Sequence, residues 1–500
     1  MRILALLLLL LLLIQQRAAA VAAAPPPPPP PPVVVVSLAP GGARAAPAVG
    51  YGGEWIFQTA GDGGLTAAEA AASSQLTRFP GGTPADYFDW ATGWLSVPTG
   101  PGCGGCDSVP ARPTSVAALR AFLAASRQRA VLVVNQLTGT LEHALAGLAA
   151  HAAAGTDVAL VELGNEMYDA TRPDVLAAYP RPQDYALKMA NWSAAIKAAF
   201  PAARVAWVGL ANDWDDRTRA WNGGVFPLAA AADAATIHLY PGLPAVNLSD
   251  AGAFPALLAP LFPLLAGYRA YTDASIPARL RLWVTEWGTW GLDAAQGTWL
   301  QALWHAAFLA ALPAALPRVD VVAPYCAVCG DANMPAFTTD AFGPIVPPNA
   351  SVPPAAWRRT ASGHGYALLL AALRGASAVQ ALDFAPNAVL DPAVPASRTL
   401  VGLRASAAAG AGAGVGGGAT LAAALVNLGA APASLDASAV LPACAAGAAC
   451  ATVYSAASPA DAARQGIRVE QLVRTAAPFA GGAPLALPPY AVAVLACECV

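Results

Sequence analysis

The chain has 500 residues, 27 Lys and Arg against 30 Asp and Glu, and a formal net charge of -3. Only 11% of residues are charged and 56% are hydrophobic, much of that being alanine in short runs such as 229–232. The near-neutral balance leaves no basic footprint for nucleic acid or an acidic membrane surface, and 13 Trp, 12 Tyr and 13 Phe in patterned segments exclude disorder as the main state.

Arg2 precedes an unbroken apolar run at residues 3–14, and small residues follow at Ala18, Ala20, Ala22 and Ala24. Such a run fits a signal-peptide core and is short for a membrane span of about 20 residues. Residues 1–24 therefore read as a signal peptide, and the chain as a secreted protein with no membrane attachment after cleavage. An uncleaved anchor is the competing reading. No later run of strongly apolar residues is expected to reach the length of about 18 needed to span a bilayer. The eight cysteines fall into four close pairs: Cys103 with Cys106, Cys326 with Cys329, Cys444 with Cys450, and Cys497 with Cys499. In an oxidising compartment short-range disulfides are their simplest use. The two C-x-x-C pairs also resemble halves of a zinc site, but they lie far apart, so bridging is preferred. Asn-x-Ser sequons at Asn191, Asn247 and Asn349 fit a secreted glycoprotein.

A proline run at 25–32 is a stiff polyproline II spacer, and residues 33–37 then read as a strand. Together, residues 25–49 form a linker with one N-terminal strand. From 50 to 375, strand-like runs at 76–79, 131–136, 158–164, 205–209, 236–240, 280–286 and 319–325 alternate with helical segments at 116–127, 141–154, 185–200, 254–271 and 297–312. This alternation implies βα units around a parallel sheet. The strands are nearly all apolar, as expected where both faces are covered. A poorly marked unit within 50–74 brings the count to eight strands, which closes a (β/α)8 barrel. An open doubly wound sheet is the alternative, but no G-x-G-x-x-G follows an early strand. From 376 to 500 helical patterning stops and short alternating runs such as 424–428 and 490–495 suggest an antiparallel β-sandwich. The strand at 33–37 is expected to fold back onto this unit, and the Gly/Ala stretch 405–419 reads as a hairpin excursion. The fold class is thus α/β, a TIM barrel with a C-terminal β-sandwich.

Catalytic groups of such barrels sit at the C-terminal ends of the strands. The fourth strand runs into Asn165 and Glu166, and the seventh ends at Glu286, followed by Trp287 and, three residues on, Trp290. The sixth ends in His238 and Tyr240, and the second carries Arg78. Strands four and seven face each other across the mouth of an eight-strand ring. Two carboxyl groups across a cleft are the chemistry of glycosidic cleavage, one protonated to release the leaving oxygen and one ionised to attack the anomeric carbon. Arg78 and Tyr240 suit the donors that hold a carboxylate ionised, and Asn165 and His238 suit contacts to sugar hydroxyls. Trp287, Trp290 and Trp214 suit walls against a sugar ring. Glu162 sits within strand four and reads as a structural partner for a buried Arg.

At these residues the sequence resembles the clan of retaining (β/α)8 glycoside hydrolases that carry glutamates on strands 4 and 7. The run Leu163-Gly164-Asn165-Glu166 resembles the clan's Asn-Glu signature, and Thr285-Glu286-Trp287-Gly288 its nucleophile motif. The segment Arg78-Phe79-Pro80-Gly81-Gly82-Thr83, continuing to Asp89-Trp90, is similar to the second strand of family 51 α-L-arabinofuranosidases. The family 79 heparanase and β-glucuronidase group is the next likeness. The run from Leu487 to Val494 resembles the last strand of the clan's accessory sandwich. The resemblance implies Glu166 as acid/base, Glu286 as nucleophile, double displacement on a cell-wall or matrix carbohydrate, and no metal or organic cofactor. It also implies carboxyl groups about 5–5.5 Å apart. The rival readings are an inactive glycan-binding barrel and a structural extracellular glycoprotein.

Overall fold

The computed structural model describes residues 32–52, 74–95, 115–242, 244–289, 298–325, 337–338, 358–359, 361–406, 421–440, 449–463, 472–479 and 484–496. Eight strands close into a barrel: Ala48–Gly52, Leu76–Phe79, Arg129–Val134, Leu160–Leu163, Arg204–Val208, Ala234–Leu239, Arg281–Trp287 and Val319–Val322. Each pairs in parallel with the next, and the last pairs with the first. The poorly marked first strand is Ala48–Gly52. Its Gly50 is forced by close approach: a Cβ there would lie 1.8 Å from the Leu76 carbonyl oxygen. Successive side chains of each strand point to opposite faces. One set (Leu76, Val131, Leu160, Ala206, Ala234, Trp283, Val321) packs together inside the barrel. The other (Phe79, Leu132, Val161, Val205, Ile237, Leu282) joins the helices in one large outer core. That division explains why the strands read as unbroken apolar runs.

Three of the barrel's helices begin at side-chain caps. Ser115 accepts from the Ala118 N–H ahead of Val116–Ser126, Thr140 from His143 ahead of Leu141–Ala153, and Thr298 from Gln301 ahead of Trp299–Ala315. Each bond satisfies a backbone donor that the first turn leaves open. The helix expected at 254–271 is broken into Phe254–Leu258 and Leu261–Ser275, with Pro260 at the break. By length and composition the stretch Ala251–Ser275 is apolar enough to cross a membrane, against the expectation from sequence. That stretch runs one 3-10 turn, Ala251–Ala253, into the two helices. Its residues Phe254, Leu257, Leu258, Leu261 and Leu265 are buried in the barrel's outer core.

Apart from two short two-stranded pairs, the remaining described strands form a curled ten-stranded sheet, matching the expected sandwich. Val33–Leu38 lies inside it, antiparallel to Ala378–Ala385 and parallel to Ala433–Asp436. The strands Leu400–Ser406 and Leu421–Asn427 pair as a hairpin, and the Gly/Ala stretch between them lies outside the described residues. Barrel and sandwich share apolar packing, since Val379, Leu403, Ala424 and Val494 belong to the same core cluster as Trp304 and Leu369. The Trp299 indole N–H adds a bond of 2.7 Å to the Tyr490 carbonyl. Cys450 is the one cysteine among the described residues, and it is disulfide-bonded.

Candidate active site

The ends of strands two, four, six and seven converge at one mouth of the barrel. Glu286 reaches it through a local irregularity. Ile237 pairs with Val284, but His238 pairs with Glu286, so Thr285 is an extra residue in its strand. Trp283 points into the barrel, Val284 outward, and the bulge then lets both Thr285 and Glu286 face inward. Bulges beside active sites re-aim side chains in this way. Glu166 follows the fourth strand on a tight left-handed path, with Gly164 at φ 85° and Glu166 itself at φ 50°.

Arg78 is the hub. It is fully buried and donates through Nε and Nη2 to Glu162 at 2.8 and 2.9 Å. Its Nη1 donates to Glu286 at 2.5 Å and its Nη2 also reaches the Asn165 side-chain oxygen at 2.8 Å. The other oxygen of Glu286 accepts from the Tyr240 hydroxyl at 2.6 Å. On the facing side, Glu166 Oε1 accepts from the Tyr168 hydroxyl at 2.8 Å and lies 2.9 Å from His238 Nδ1. The same imidazole nitrogen is 3.4 Å from Glu286 Oε2. One carboxylate oxygen from each glutamate and one nitrogen of His238 therefore lie within 4.8 Å of one another. The Glu286 side chain is only 4% exposed and that of Glu166 is 27% exposed, so one carboxyl is enclosed and the other meets solvent.

The electrostatics follow from these contacts. Burial disfavours a charged His238, but Glu286 and Glu166 outweigh it and hold the imidazole above its usual range. Burial pushes Glu166 up, but the bonds from His238 and Tyr168 win and hold its carboxyl below the ordinary value. Both shifts favour the imidazole over the carboxyl as the holder of a proton shared by this pair. Burial disfavours the Arg78 charge, yet Glu162 and Glu286 keep the guanidinium firmly charged.

Of the residues expected at the site, Arg78, Asn165, Glu166, His238, Tyr240 and Glu286 come together. Glu162 is the buried partner of Arg78, as its position within the strand suggested. Trp287 does not join them. It is fully buried on the outer face of its strand, stacked on Phe308 at 4.6 Å and edge-on to His305 at 5.2 Å, so it offers no wall to a sugar. The bulge at Thr285 is the reason, because it gives the inward direction to Glu286 and turns the next residue out. Trp290 lies outside the described residues. Trp214 is 59% exposed and stands edge-on to Tyr168 at 5.6 Å. Sequence reasoning missed Tyr168, two residues beyond Glu166, whose only signal was that proximity. It also missed Asp86 and Arg172, which sit in loops without periodic pattern.

No protein-family model matches the chain, and no curated protein matches it in sequence. Its fold does match solved structures. A family 51 α-L-arabinofuranosidase from Bifidobacterium longum superposes with a TM-score of 0.68 at 15% identity, covering 93% of this chain and 99% of that one. A GH51 arabinofuranosidase from Xanthomonas axonopodis pv. citri gives 0.66 at 17% identity, with 93% and 99% covered. A 4-O-α-L-rhamnosyl-β-D-glucuronidase from Fusarium oxysporum 12S gives 0.57 at 12% identity, with 92% and 99% covered. The chain therefore has the fold of the family 51 enzymes, a TIM barrel with a C-terminal β-sandwich, over nearly its whole length.

Proposed function

We propose that the protein is a secreted retaining glycoside hydrolase acting on a cell-wall or matrix polysaccharide or glycoconjugate. The observation that carries this reading is the approach of Glu166 and Glu286 to within 4.8 Å at the barrel mouth. Retaining enzymes hold their carboxyl groups about 5–5.5 Å apart, whereas inverting ones leave about 6.5–9.5 Å for a water. Glu286 is the nucleophile. It is enclosed, and Arg78 and Tyr240 each donate to one of its oxygens. Glu166, more open to solvent, is the acid/base.

In the first step a Glu286 oxygen bonds to the anomeric carbon as the glycosidic C–O bond breaks, and Glu166 gives its proton to the departing oxygen. In the second, Glu166 takes a proton from water, whose oxygen bonds to the anomeric carbon and releases Glu286. The first step needs a proton on Glu166, while both shifts favour His238 over Glu166 as its holder. His238 Nδ1, 2.9 Å from Glu166 Oε1, is the group positioned to pass that proton on. Negative charge leaves Glu286 as the ester forms, which removes the main reason for His238 to remain charged.

Secretion rests on the apolar run at 3–14 and glycosylation on the sequons, of which Asn247 is exposed in a loop. The test is hydrolysis of aryl α-L-arabinofuranoside, β-D-glucuronide, xyloside, glucoside and galactoside by the purified protein beside Glu286→Ala. Cleavage of one member that the variant loses supports the reading, and retention is read from the anomer first released by NMR. Silence on aryl glycosides and on polymers, with glycan binding intact, would leave a binding protein instead.

A further inference from the structure

Glu166 is built on a backbone that has to be held. A non-glycine residue in the left-handed region carries a steric cost, and it persists only where its surroundings fix it. Two buried groups surround the peptide unit just before it. Asp86, on the loop after strand two, is fully buried and accepts the Asn165 N–H through Oδ1 at 3.0 Å. Its Oδ2 accepts from Arg172 Nη1 at 2.8 Å. Arg172, on the loop after strand four, also directs Nη1 at the Asn165 carbonyl at 3.5 Å, and its Nη2 donates to the Tyr87 hydroxyl at 3.3 Å. The N–H and the C=O of Asn165 are thus gripped by the two members of one ion pair, and that C=O belongs to the peptide bond entering Glu166.

We propose that the buried Asp86–Arg172 pair is a positioning device for Glu166, fixing the left-handed turn that aims its carboxyl at His238 and the cleft. The proposal rests on reading Glu166 as the acid/base. Neither residue touches the reacting carboxylates, so both act through the backbone. Stability alone is a poor explanation of the pair. Buried ion pairs are commonly matched or bettered by apolar residues of the same volume, because desolvation offsets the attraction. Here burial pushes the Asp86 carboxyl up to about 7 even with Arg172 beside it, so the attraction does not recover the desolvation. What an apolar pair cannot supply is an acceptor for one side of the Asn165 peptide and a donor for the other. Arg217 performs a companion task further along the same loop, donating to the carbonyls of Met167, Tyr168 and Tyr179.

The test is Asp86→Asn, which keeps an acceptor for Asn165 and removes the charge facing Arg172. A catalytic group misplaced by about 1 Å loses up to about a hundredfold in rate. We expect kcat to fall about ten- to hundredfold with KM changed less than about threefold. The loss should be larger on a glycoside with a poor leaving group than on its dinitrophenyl counterpart, since only the former depends on the acid. In a Glu166→Ala background Asp86→Asn should add less than about twofold. Pairing it with Arg172→Gln, which restores a neutral donor and acceptor, should recover part of kcat. Equal losses on both leaving groups, or a loss fully additive with Glu166→Ala, would overturn the proposal. If Asp86→Asn does not fold, Arg172→Lys is read the same way. A crystal structure of the variant supplies a readout independent of turnover: Glu166 should leave its left-handed conformation, and an unchanged Glu166 backbone would refute the device. If Glu166→Ala itself retains full activity, the acid/base assignment fails, which is a different result from an Asp86 variant that leaves a Glu166-dependent enzyme intact.

Discussion

Replacing Arg78 by Met separates the two roles of the buried hub. Arg78 is fully buried, with Glu162 beside it at 0% exposure and Glu286 at 4%. Without the guanidinium, Glu162 keeps only the Thr285 hydroxyl at 3.2 Å. Breaking a buried pair from one side costs about 3–5 kcal/mol, because an uncompensated charge is left behind. Glu286 loses its 2.5 Å bond to a cation and retains Tyr240. A hydrogen bond to a charged group contributes about 1.5–3 kcal/mol, so turnover should fall about ten- to a hundredfold. Adding Glu162→Gln removes the stranded charge. The double variant should therefore regain about half or more of the lost stability by urea denaturation. It should stay as slow as Arg78→Met on the aryl glycoside that the panel identifies. Turnover returning together with stability would refute the division of roles, as would an Arg78→Met protein destabilised by less than about 1 kcal/mol.

His238 should set the alkaline limb of activity. Its imidazole is held above the usual 6.5, so the site keeps its proton through 6.5 and loses it only as pH rises past the raised value. With His238→Asn the remaining holder is the Glu166 carboxyl, of ordinary value 4.5, so the limb should move down; an unmoved limb in a kcat–pH series rules this out. Stability should also depend on pH. Burial pushes His151 down to about 4 and His305 down to about 3. Both stay neutral when folded but charge near 6.5 when unfolded, so their contribution is full above 6.5 and drains away as pH falls toward 4. At most about 3 kcal/mol for His151 and about 5 kcal/mol for His305 is involved, and His151→Leu with His305→Leu should flatten the urea midpoint across that window. Gly164→Ala places a Cβ 2.2 Å from Gln136 Nε2 at a φ of 85°. It should cost more than about 1 kcal/mol and lower kcat by displacing Glu166; wild-type values for both would show that this turn tolerates a side chain.

Much of this site was readable because barrel strands end their apolar runs in polar residues at the mouth. Asn165, Glu166, Tyr240 and Glu286 announced themselves in that way. His238 and Tyr240 also share the inward parity of Ala234 and Thr236, as simple alternation requires. Alternation misleads on strand seven. Counting by twos from the inward Trp283 sends Trp287 in and Glu286 out, and only the extra Thr285 reverses it. A bulge leaves no mark in composition, so the direction of Trp287 was not available from sequence. Asp86 and Arg172 were hidden for a different reason. Asp86 meets the Asn165 N–H and the Arg172 side chain across 79 and 86 residues of chain, and no periodicity encodes such a contact between two connections.

The placement of Val33–Leu38 between Ala378–Ala385 and Ala433–Asp436 has a topological consequence. The barrel is an insert within the sandwich, whose material comes from both ends of the chain. A fragment holding only the C-terminal strands would present two unpaired edges where this strand belongs, an invitation to pair with other chains. A fragment ending before Ala378 would carry an orphan strand of four consecutive valines, alternately exposed and buried. The molecule therefore cannot be dissected at the junction between its two layers. A circular permutant that joins the final strand to the first, and opens the chain in the barrel, is the dissection this wiring permits.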